Sequence, residues 1–157
     1  MSNTTMPVFR QEVIEVEIPA GSTVSTFYFP DMPNLRNAKI FGIDFCSLSV
    51  MSVSPQTGKT IIDNVMAKKA VVNLYQGDLQ RVKYFPLNFM NRVIDSDSAS
   101  PYTNMQQMFG GMVISWTKCF IEFKGELTST GFVVPLIIYY DIATDAELAA
   151  LSLGNNL

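Results

Sequence analysis

Apolar and polar side chains alternate with a period of two in several short segments of this chain. In residues 13–18, for example, Ile14, Val16 and Ile18 fall on one side and the intervening glutamates on the other, which is the pattern of a half-buried β-strand. Clusters of Pro, Gly, Asn, Asp and Ser, which favour turns, separate these segments. The alternation predicts about eight strands, at residues 13–18, 23–29, 38–53, 60–62, 70–75, 79–85, 112–123 and 132–140. The long segment 38–53 could form one strand or two.

Many short strands with little helix are typical of an all-β domain in which two antiparallel sheets pack face to face. We therefore predict an antiparallel β-sandwich, with a jelly roll as the favoured topology and a closed barrel as the alternative. The length of 157 residues suits one domain, residues 1–157. We expect flexible ends at about residues 1–10 and 152–157.

Two segments depart from the strand pattern. Residues 86–111 show no sustained alternation and are rich in Asn, Ser, Asp, Met and Gln, which predicts a long loop that could carry a short helix at 103–109. Thr144 and Glu147 have the spacing of a helix capping box, which predicts a short C-terminal helix from about residue 145 to residue 151.

The last two predicted strands, 112–123 and 132–140, are apolar on both faces. One face of a sheet in a small antiparallel domain packs on the core, so the second face of such a strand needs its own cover. A helix, a loop or another subunit could supply it. Pro135 has no N–H to donate, which predicts an edge position or a bulge for the last strand.

The residue types present exclude several function classes. The chain has no histidine, which removes the commonest general base and the commonest transition-metal ligand, so we expect no enzymatic activity, no cofactor and no small-molecule ligand. The net charge of −3 arises from scattered residues, so nucleic-acid binding is not expected. No apolar run is long enough to span a membrane, and no secretion signal is visible at the N-terminus. Without secretion, Cys46 and Cys119 are interpreted as buried thiols.

Two polar motifs favour loops rather than ligand sites. Residues 58–60 are similar to the end of a phosphate-binding loop, but Val53 stands where that loop requires its first glycine, so a hairpin turn is the better interpretation. Asp95 and Asp97 offer paired carboxylates of the kind that a hard cation prefers. No further ligands are visible around them in the sequence, so we interpret them as part of a solvated loop.

Methionines fall mostly in or beside the predicted loops. Because methionine adapts to irregular contact surfaces, this distribution points to loops that bury surface against neighbouring subunits. We expect these contacts chiefly from residues 31–36 and 86–111, and also from the termini. The candidate interface residues are Met32, Leu35, Met90, Tyr102, Met105, Met108 and Phe109.

A resemblance to a known class of proteins rests on the first strand and its turn (14–23), the aromatic segment 27–30 and the closing strand 132–140. In these segments the chain resembles the single jelly-roll structural proteins of virus particles, including those of tailless icosahedral bacteriophages. The resemblance implies a capsid or minor capsid subunit that self-assembles and contacts other virion proteins, located in the virion after synthesis in the host cytoplasm. Capsid jelly rolls share architecture rather than motifs, so no functional residue is carried over.

Two other functions stay open beside this leading hypothesis of a structural subunit. Exposed aromatic side chains such as Tyr84 and Tyr102 could stack on sugar rings in a carbohydrate-binding or adhesion module. A glycosidase that relies on carboxylates alone is the third hypothesis. Its acid and base would be drawn from Asp95, Asp97, Glu122 and Glu126.

Overall fold

The computed structural model describes residues 10–90 and 109–154. Its strands are β1 (Arg10–Ile18), β2 (Thr26–Tyr28), β3 (Ala38–Phe45), β4 (Ala70–Gln76), β5 (Leu79–Pro86), β6 (Met112–Val113), β7 (Phe120–Phe123) and β8 (Phe132–Ile142). They form two four-stranded antiparallel sheets, a first sheet in the order β1-β8-β3-β6 and a second in the order β2-β7-β4-β5. The prediction of an antiparallel all-β sandwich is confirmed.

Little of the described chain is helical. The α-helices are α1 (Asn64–Ala67) and α2 (Asp145–Gly154), and short 3-10 segments occur at Pro33–Leu35, Leu87–Met90 and Trp116–Lys118. Asp63 caps α1, because its Oδ1 accepts a hydrogen bond from the Met66 backbone N–H at 2.7 Å. A side-chain acceptor at this position satisfies one of the donors that a helix start leaves free.

The hydrophobic core lies between the two sheets. Ile14, Val16 and Ile18 of β1 are each 1% exposed, which confirms the inward side read from the alternation. From the second sheet, β7 contributes Ile121 and Phe123 to the same continuous cluster of buried side chains. Burial of each such side chain stabilises the fold by about 1.5–3 kcal/mol relative to an exposed position.

The proline in β8 marks a change of neighbour along that strand. β8 lies between β1 and β3 with no register shift at Pro135, so the predicted edge position or bulge is wrong. The Pro135 carbonyl accepts a hydrogen bond from the backbone N–H of Cys46 at 3.0 Å, and Cys46 directly follows β3. Both backbone groups of one residue face the same neighbouring strand in an antiparallel ladder. The backbone N–H that Pro135 lacks would therefore face the side of β8 where β3 has already ended.

Beyond the end of β3, residues 60–62 take its place beside β8. The Val133 N–H donates to the Thr60 carbonyl at 2.9 Å, and the Val133 carbonyl accepts from the Ile62 N–H at 3.0 Å. This segment is the return arm of the turn predicted around residue 58, where Val53 and Thr60 form an antiparallel bridge. The hairpin predicted there is present, although it is reduced to this single bridge.

Both faces of β8 are buried, as its two-sided apolar pattern predicts. On the inward side Leu136 and Ile138 are fully buried, and on the outward side Val133 and Tyr139 are 1% and 6% exposed. The Tyr139 hydroxyl donates a hydrogen bond of 2.7 Å to the buried Asp44 carboxylate. A single chain achieves this burial, so the second face of β8 needs no second subunit to cover it.

The predicted strand at 112–123 is wrong in its middle. β6 belongs to the first sheet and β7 to the second, and the third 3-10 segment joins them. Within that segment the Trp116 ring stacks on Phe29 in the core, with centroids 5.6 Å apart. The alternation of residues cannot reveal where the chain crosses from one sheet to the other, because apolar side chains are buried both before and after the crossing. The predicted strand at 38–53 likewise ends early, at Phe45.

The capping box at the start of α2 is confirmed. The Glu147 N–H donates to Thr144 Oγ1 at 3.2 Å, and the Thr144 N–H donates to Glu147 Oε1 at 3.3 Å. Lys39 of β3 places its Nζ 3.0 Å from Glu147 Oε2. The hydrogen bond from Lys39 lowers the pKa of Glu147 below its ordinary value. The helix is therefore anchored to the first sheet by one ion pair at its N-terminal turn.

Several predictions fall largely outside the described part of the chain. The possible helix at 103–109 lies outside it apart from Phe109, and so does most of the loop predicted at 86–111. The predicted flexible ends are described only at their inner limits, where Arg10 begins β1 and Gly154 ends α2.

Candidate interaction surface

Aromatic side chains form a row across three strands on the outward side of the second sheet. Tyr28 of β2 and Phe120 of β7 face each other in register, and their ring centroids are 5.6 Å apart. Tyr75 of β4 lies on the other side of Phe120 at 6.3 Å. Tyr28 is 62% exposed, while the other two rings are half-buried. These three residues together with Tyr84 are called the aromatic face below.

Tyr84 reaches this face through a β-bulge in β5. The register between β4 and β5 shifts by one residue between Val72 and Leu74, so Lys83 and Tyr84 both stand opposite Asn73. Tyr84 has a positive φ of 50°, a conformation that costs a residue other than glycine about 1–2 kcal/mol. Regular alternation along β5 would point Tyr84 into the core. With the bulge, its side chain is 60% exposed.

Asn73 holds the bulge in place. Its side chain is fully buried at 0% exposure, and its Oδ1 accepts hydrogen bonds from the Tyr84 backbone N–H at 3.0 Å and from Gln80 Nε2 at 2.9 Å. Its Nδ2 has no hydrogen-bond partner among the described residues. The two hydrogen bonds that Asn73 Oδ1 accepts tie the bulged part of β5 to β4.

A charged pair borders the aromatic face. Lys124 Nζ lies 5.1 Å from the centroid of the Tyr84 ring and 2.8 Å from Glu122 Oε1. The hydrogen bond to Glu122 is the main cause that raises the pKa of Lys124 above its ordinary value. A cation above a ring adds about 0.5–1 kcal/mol at an exposed site. The pair therefore limits the positions that the Tyr84 ring can adopt.

A second exposed apolar group lies in the turn after β3. Leu48, Val50, Met51 and Val53 are 36%, 51%, 38% and 42% exposed. The turn is well defined, because the Ser47 carbonyl accepts the N–H groups of Val50 at 2.9 Å and Met51 at 3.1 Å. Sequence reasoning placed this segment inside a strand and missed its exposure. We call these four residues the apolar turn.

The structure separates the predicted interface residues into three groups. Leu35, Met90 and Phe109 are 0%, 2% and 3% exposed, so they are core residues and offer no surface to a partner. Met32 is half-buried against the core, and it lines a cleft of about 270 Å³ together with Trp116. The remaining three predicted residues lie outside the described part of the chain: Tyr102, Met105 and Met108.

Two of the four carboxylates considered for a glycosidase are described. Glu122 forms an ion pair with Lys124, and Glu126 lies in the exposed turn after β7. Asp95 and Asp97 lie outside the described residues. In the ranges 10–90 and 109–154, no group of His, Cys, Asp or Glu side chains has a geometry that could hold a metal ion.

The remaining sequence motifs have structural roles. Gly58 adopts a positive φ of 72° in the hairpin turn, and Lys59 forms an ion pair with Glu17 at 2.8 Å, so a hairpin turn is the correct interpretation of residues 58–60. Cys46 and Cys119 are free and buried, as predicted. Burial raises the pKa of the Cys119 thiol to about 12, which makes this thiol unreactive at neutral pH.

Comparison with known proteins does not indicate a function, so a functional proposal has to rest on the fold and the exposed surface. No family model, no curated protein and no solved structure matched the chain significantly. None of the helices that the structure describes has the length and apolar character needed to traverse a membrane.

Proposed function

We propose that the sandwich is a jelly roll. Each of the first four strands pairs with its counterpart counted from the other end, which gives the pairs β1–β8, β2–β7, β3–β6 and β4–β5. This series describes one long antiparallel ribbon that is closed at the β4–β5 hairpin. The added pairs β3–β8 and β4–β7 roll the ribbon into two sheets. The series supports a jelly roll over a closed barrel, since closure would remove the sheet edges.

We further propose that this chain is a non-enzymatic structural subunit of a virus particle, either a capsid or a minor capsid protein. The ribbon pairing of the eight strands is the observation that carries the proposal, because it is the architecture that the sequence resemblance implies. The partners are other copies of this chain and other virion proteins. The site of action is the virion, after synthesis in the host cytoplasm.

The exposed apolar groups supply contacts suited to assembly. Aromatic side chains are enriched among the residues that dominate binding energy at protein interfaces, and two tyrosines of the aromatic face are more than half exposed. The apolar turn adds a second contact region at the end of β3. Symmetric repetition lets each copy bury modest areas on several sides, so that many weak contacts together hold a closed particle.

Light scattering of the purified chain over a range of concentrations, with negative-stain electron microscopy, tests this function. We expect closed oligomers, rings or shells. Replacing Tyr28 and Tyr84 together by Ser should lower the assembled fraction without changing the circular dichroism spectrum. Val65→Ser is the matched control, because Val65 is 67% exposed but belongs to α1 and is not part of the aromatic face. A wild-type chain that stays monomeric at every concentration would contradict the proposal.

A carbohydrate-binding or adhesion module is the second candidate function, favoured by the exposure of Tyr84 and Tyr28. The rings of Tyr28 and Tyr75 are inclined by 59° and 37° to that of Phe120, so they offer separate stacking positions rather than one flat platform. A glycan screen of wild type against Tyr84→Ala tests this candidate. Binding that the substitution abolishes would support it, and no binding by the wild type would reject it.

A further inference from the structure

The two long edge strands of the sandwich lie on opposite sides of the molecule. β1 is the first strand in the order of one sheet and packs close to β2, the first strand of the other. Stacking of the sheets then places β6 and β5 together on the far side. In the described part of the chain, no strand pairs with the outer side of β1 or of β5. Among the described strands, β1 is therefore a sheet edge on one side of the sandwich and β5 is a sheet edge on the other.

These two edges carry opposite charge. β1 contains Glu12, Glu15 and Glu17 against the single base Arg10. Glu17 is paired with Lys59, whereas Glu12 forms no ion pair among the described residues. The edge stays acidic after this pairing is taken into account.

β5 contains two bases and no carboxylate. Its basic residues are Arg81 and Lys83, both exposed. Arg81 Nε donates a hydrogen bond of 2.9 Å to the neutral Gln76 side chain, and Lys83 forms no ion pair within the described ranges. Both positive charges of β5 are therefore left without a carboxylate partner among the described residues.

The backbones of the two edges differ as well. β1 pairs with β8 over its whole length without a register shift, whereas β5 pairs with β4 through two register shifts. Bulges twist an edge strand and hinder the addition of another strand to it. A contact at β5 therefore has to use side chains, and its charged side chains are Arg81 and Lys83.

Like edges disfavour each other. Two β1 edges brought together would oppose glutamates, and two β5 edges would oppose Arg81 and Lys83, both of which are destabilising. Contact between a β5 edge and a β1 edge brings opposite charges together. A contact between two different surfaces of the same chain continues from copy to copy and closes into a ring when the rotation permits.

We propose that copies of this chain associate side by side, with the basic β5 edge of one copy docked on the acidic β1 edge of the next. This inference rests on the proposed function as an assembling subunit and names the surfaces that join. The ion pairs set the register and orientation of neighbouring copies, since charge complementarity contributes more to specificity than to affinity. The aromatic face, on the outward side of the second sheet, stays available for other contacts.

A pair of charge-reversed variants tests the proposal. The first carries Arg81→Glu and Lys83→Glu, and the second carries Glu12→Lys and Glu17→Lys. Each alone should stay monomeric under conditions in which the wild type assembles, because both of its edges then carry the same sign. An equimolar mixture should regain assembly, since the acidic β5 edge of one variant faces the basic β1 edge of the other. Circular dichroism confirms that both variants are folded.

The control and the salt dependence complete the experiment. Lys68→Glu changes one charge on an exposed residue outside both edges and should leave assembly intact. Wild-type assembly should weaken between about 0.1 M and about 1 M salt, where the screening length falls from roughly 10 Å to roughly 3 Å. Single variants that assemble like wild type, or a mixture that does not recover, would overturn the edge contact while the assembling subunit stands. A wild type that never assembles would overturn both proposals.

Discussion

The outer faces of the two sheets both carry apolar side chains, but those of the first sheet are buried and those of the second are exposed to solvent. On the first sheet, Val133 and Tyr139 are 1% and 6% exposed, while on the second Tyr28 and Tyr84 are 62% and 60% exposed. The first face gains cover from its own chain, since the hairpin that leads into residues 60–62 lies beside β8 and its side chains bond to those of β1. Apolar residues on both sides of a strand therefore do not by themselves indicate a partner protein.

Replacing one tyrosine by alanine on each outer face should give the largest difference in the free energy of unfolding. Tyr139→Ala removes a buried ring and should lower the free energy of unfolding by about 3–5 kcal/mol, as for other large aromatic residues in cores. Tyr28→Ala should lower it by less than about 1 kcal/mol, because only its contact with Phe120 is lost. Urea denaturation of both variants measures the difference. Equal losses would show that the two faces are buried to the same extent.

Removal of the Tyr139 hydroxyl alone should have a smaller effect. Tyr139→Phe keeps the ring but leaves the buried Asp44 carboxylate without the hydrogen bond of 2.7 Å. Loss of a hydrogen bond to a charged group costs about 1.5–3 kcal/mol. Tyr28→Phe is the matched control on the second sheet, where the exposed hydroxyl should contribute almost nothing. A loss of stability in both variants would argue against a special role for the buried pair.

The bulge that exposes Tyr84 can be tested through Asn73. Asn73→Ala leaves the Tyr84 N–H without its acceptor and should lower the free energy of unfolding by about 1–2 kcal/mol. Hydrogen exchange at the Tyr84 amide should also become faster. Gln80→Ala removes only the side-chain donor to Asn73 and should do less. Unchanged exchange in Asn73→Ala would mean that the bulge does not depend on this side chain.

The smallest expected effect concerns the anchor of α2 on the first sheet, and it depends on pH. The pKa of Glu147 is lowered by Lys39, so the ionised carboxylate stabilises the folded chain above its ordinary pKa of 4.5. That contribution is lost as the pH falls through the lower folded value. Glu147→Gln should therefore be less stable than wild type at pH 7 and equal to it in strong acid.

Thermal unfolding of wild type and Glu147→Gln across this pH range measures the effect. Lys39→Met is the matched variant, because it removes the other half of the same ion pair. It should reproduce the loss at pH 7. A difference between wild type and Glu147→Gln that persists at the lowest pH would show that charge is not its cause.

Local patterns explain which parts of the fold were predictable. The inward side of β1, the β4–β5 hairpin and the Thr144–Glu147 capping box depend on residues a few positions apart, and all three are present as predicted. The break within 112–123 was not predictable in this way, because it depends on where the chain has to change sheets. Pro135 was misjudged for a similar reason, since its place depends on where β3 ends.

The candidate surface was less predictable than the fold. Leu35 and Phe109 lie in predicted loops, and the sequence therefore predicts that they contact a partner, but their side chains are buried in the core. Loop position does not decide the direction of a side chain. Tyr84 was named as an exposed aromatic residue, and it is exposed, although only the bulge opposite Asn73 makes it so.

The sequence by itself determined the all-β class, the alternation of core positions in β1 and the start of α2, because each follows from interactions between near neighbours in the chain. Only the tertiary structure decided what covers the outward face of β8, where Tyr84 points and which of the described strands lie at the sheet edges. Those outcomes depend on contacts between distant segments, such as Val133 with Ile62 and Asp44 with Tyr139. Alternation within one segment contains no information about such partners.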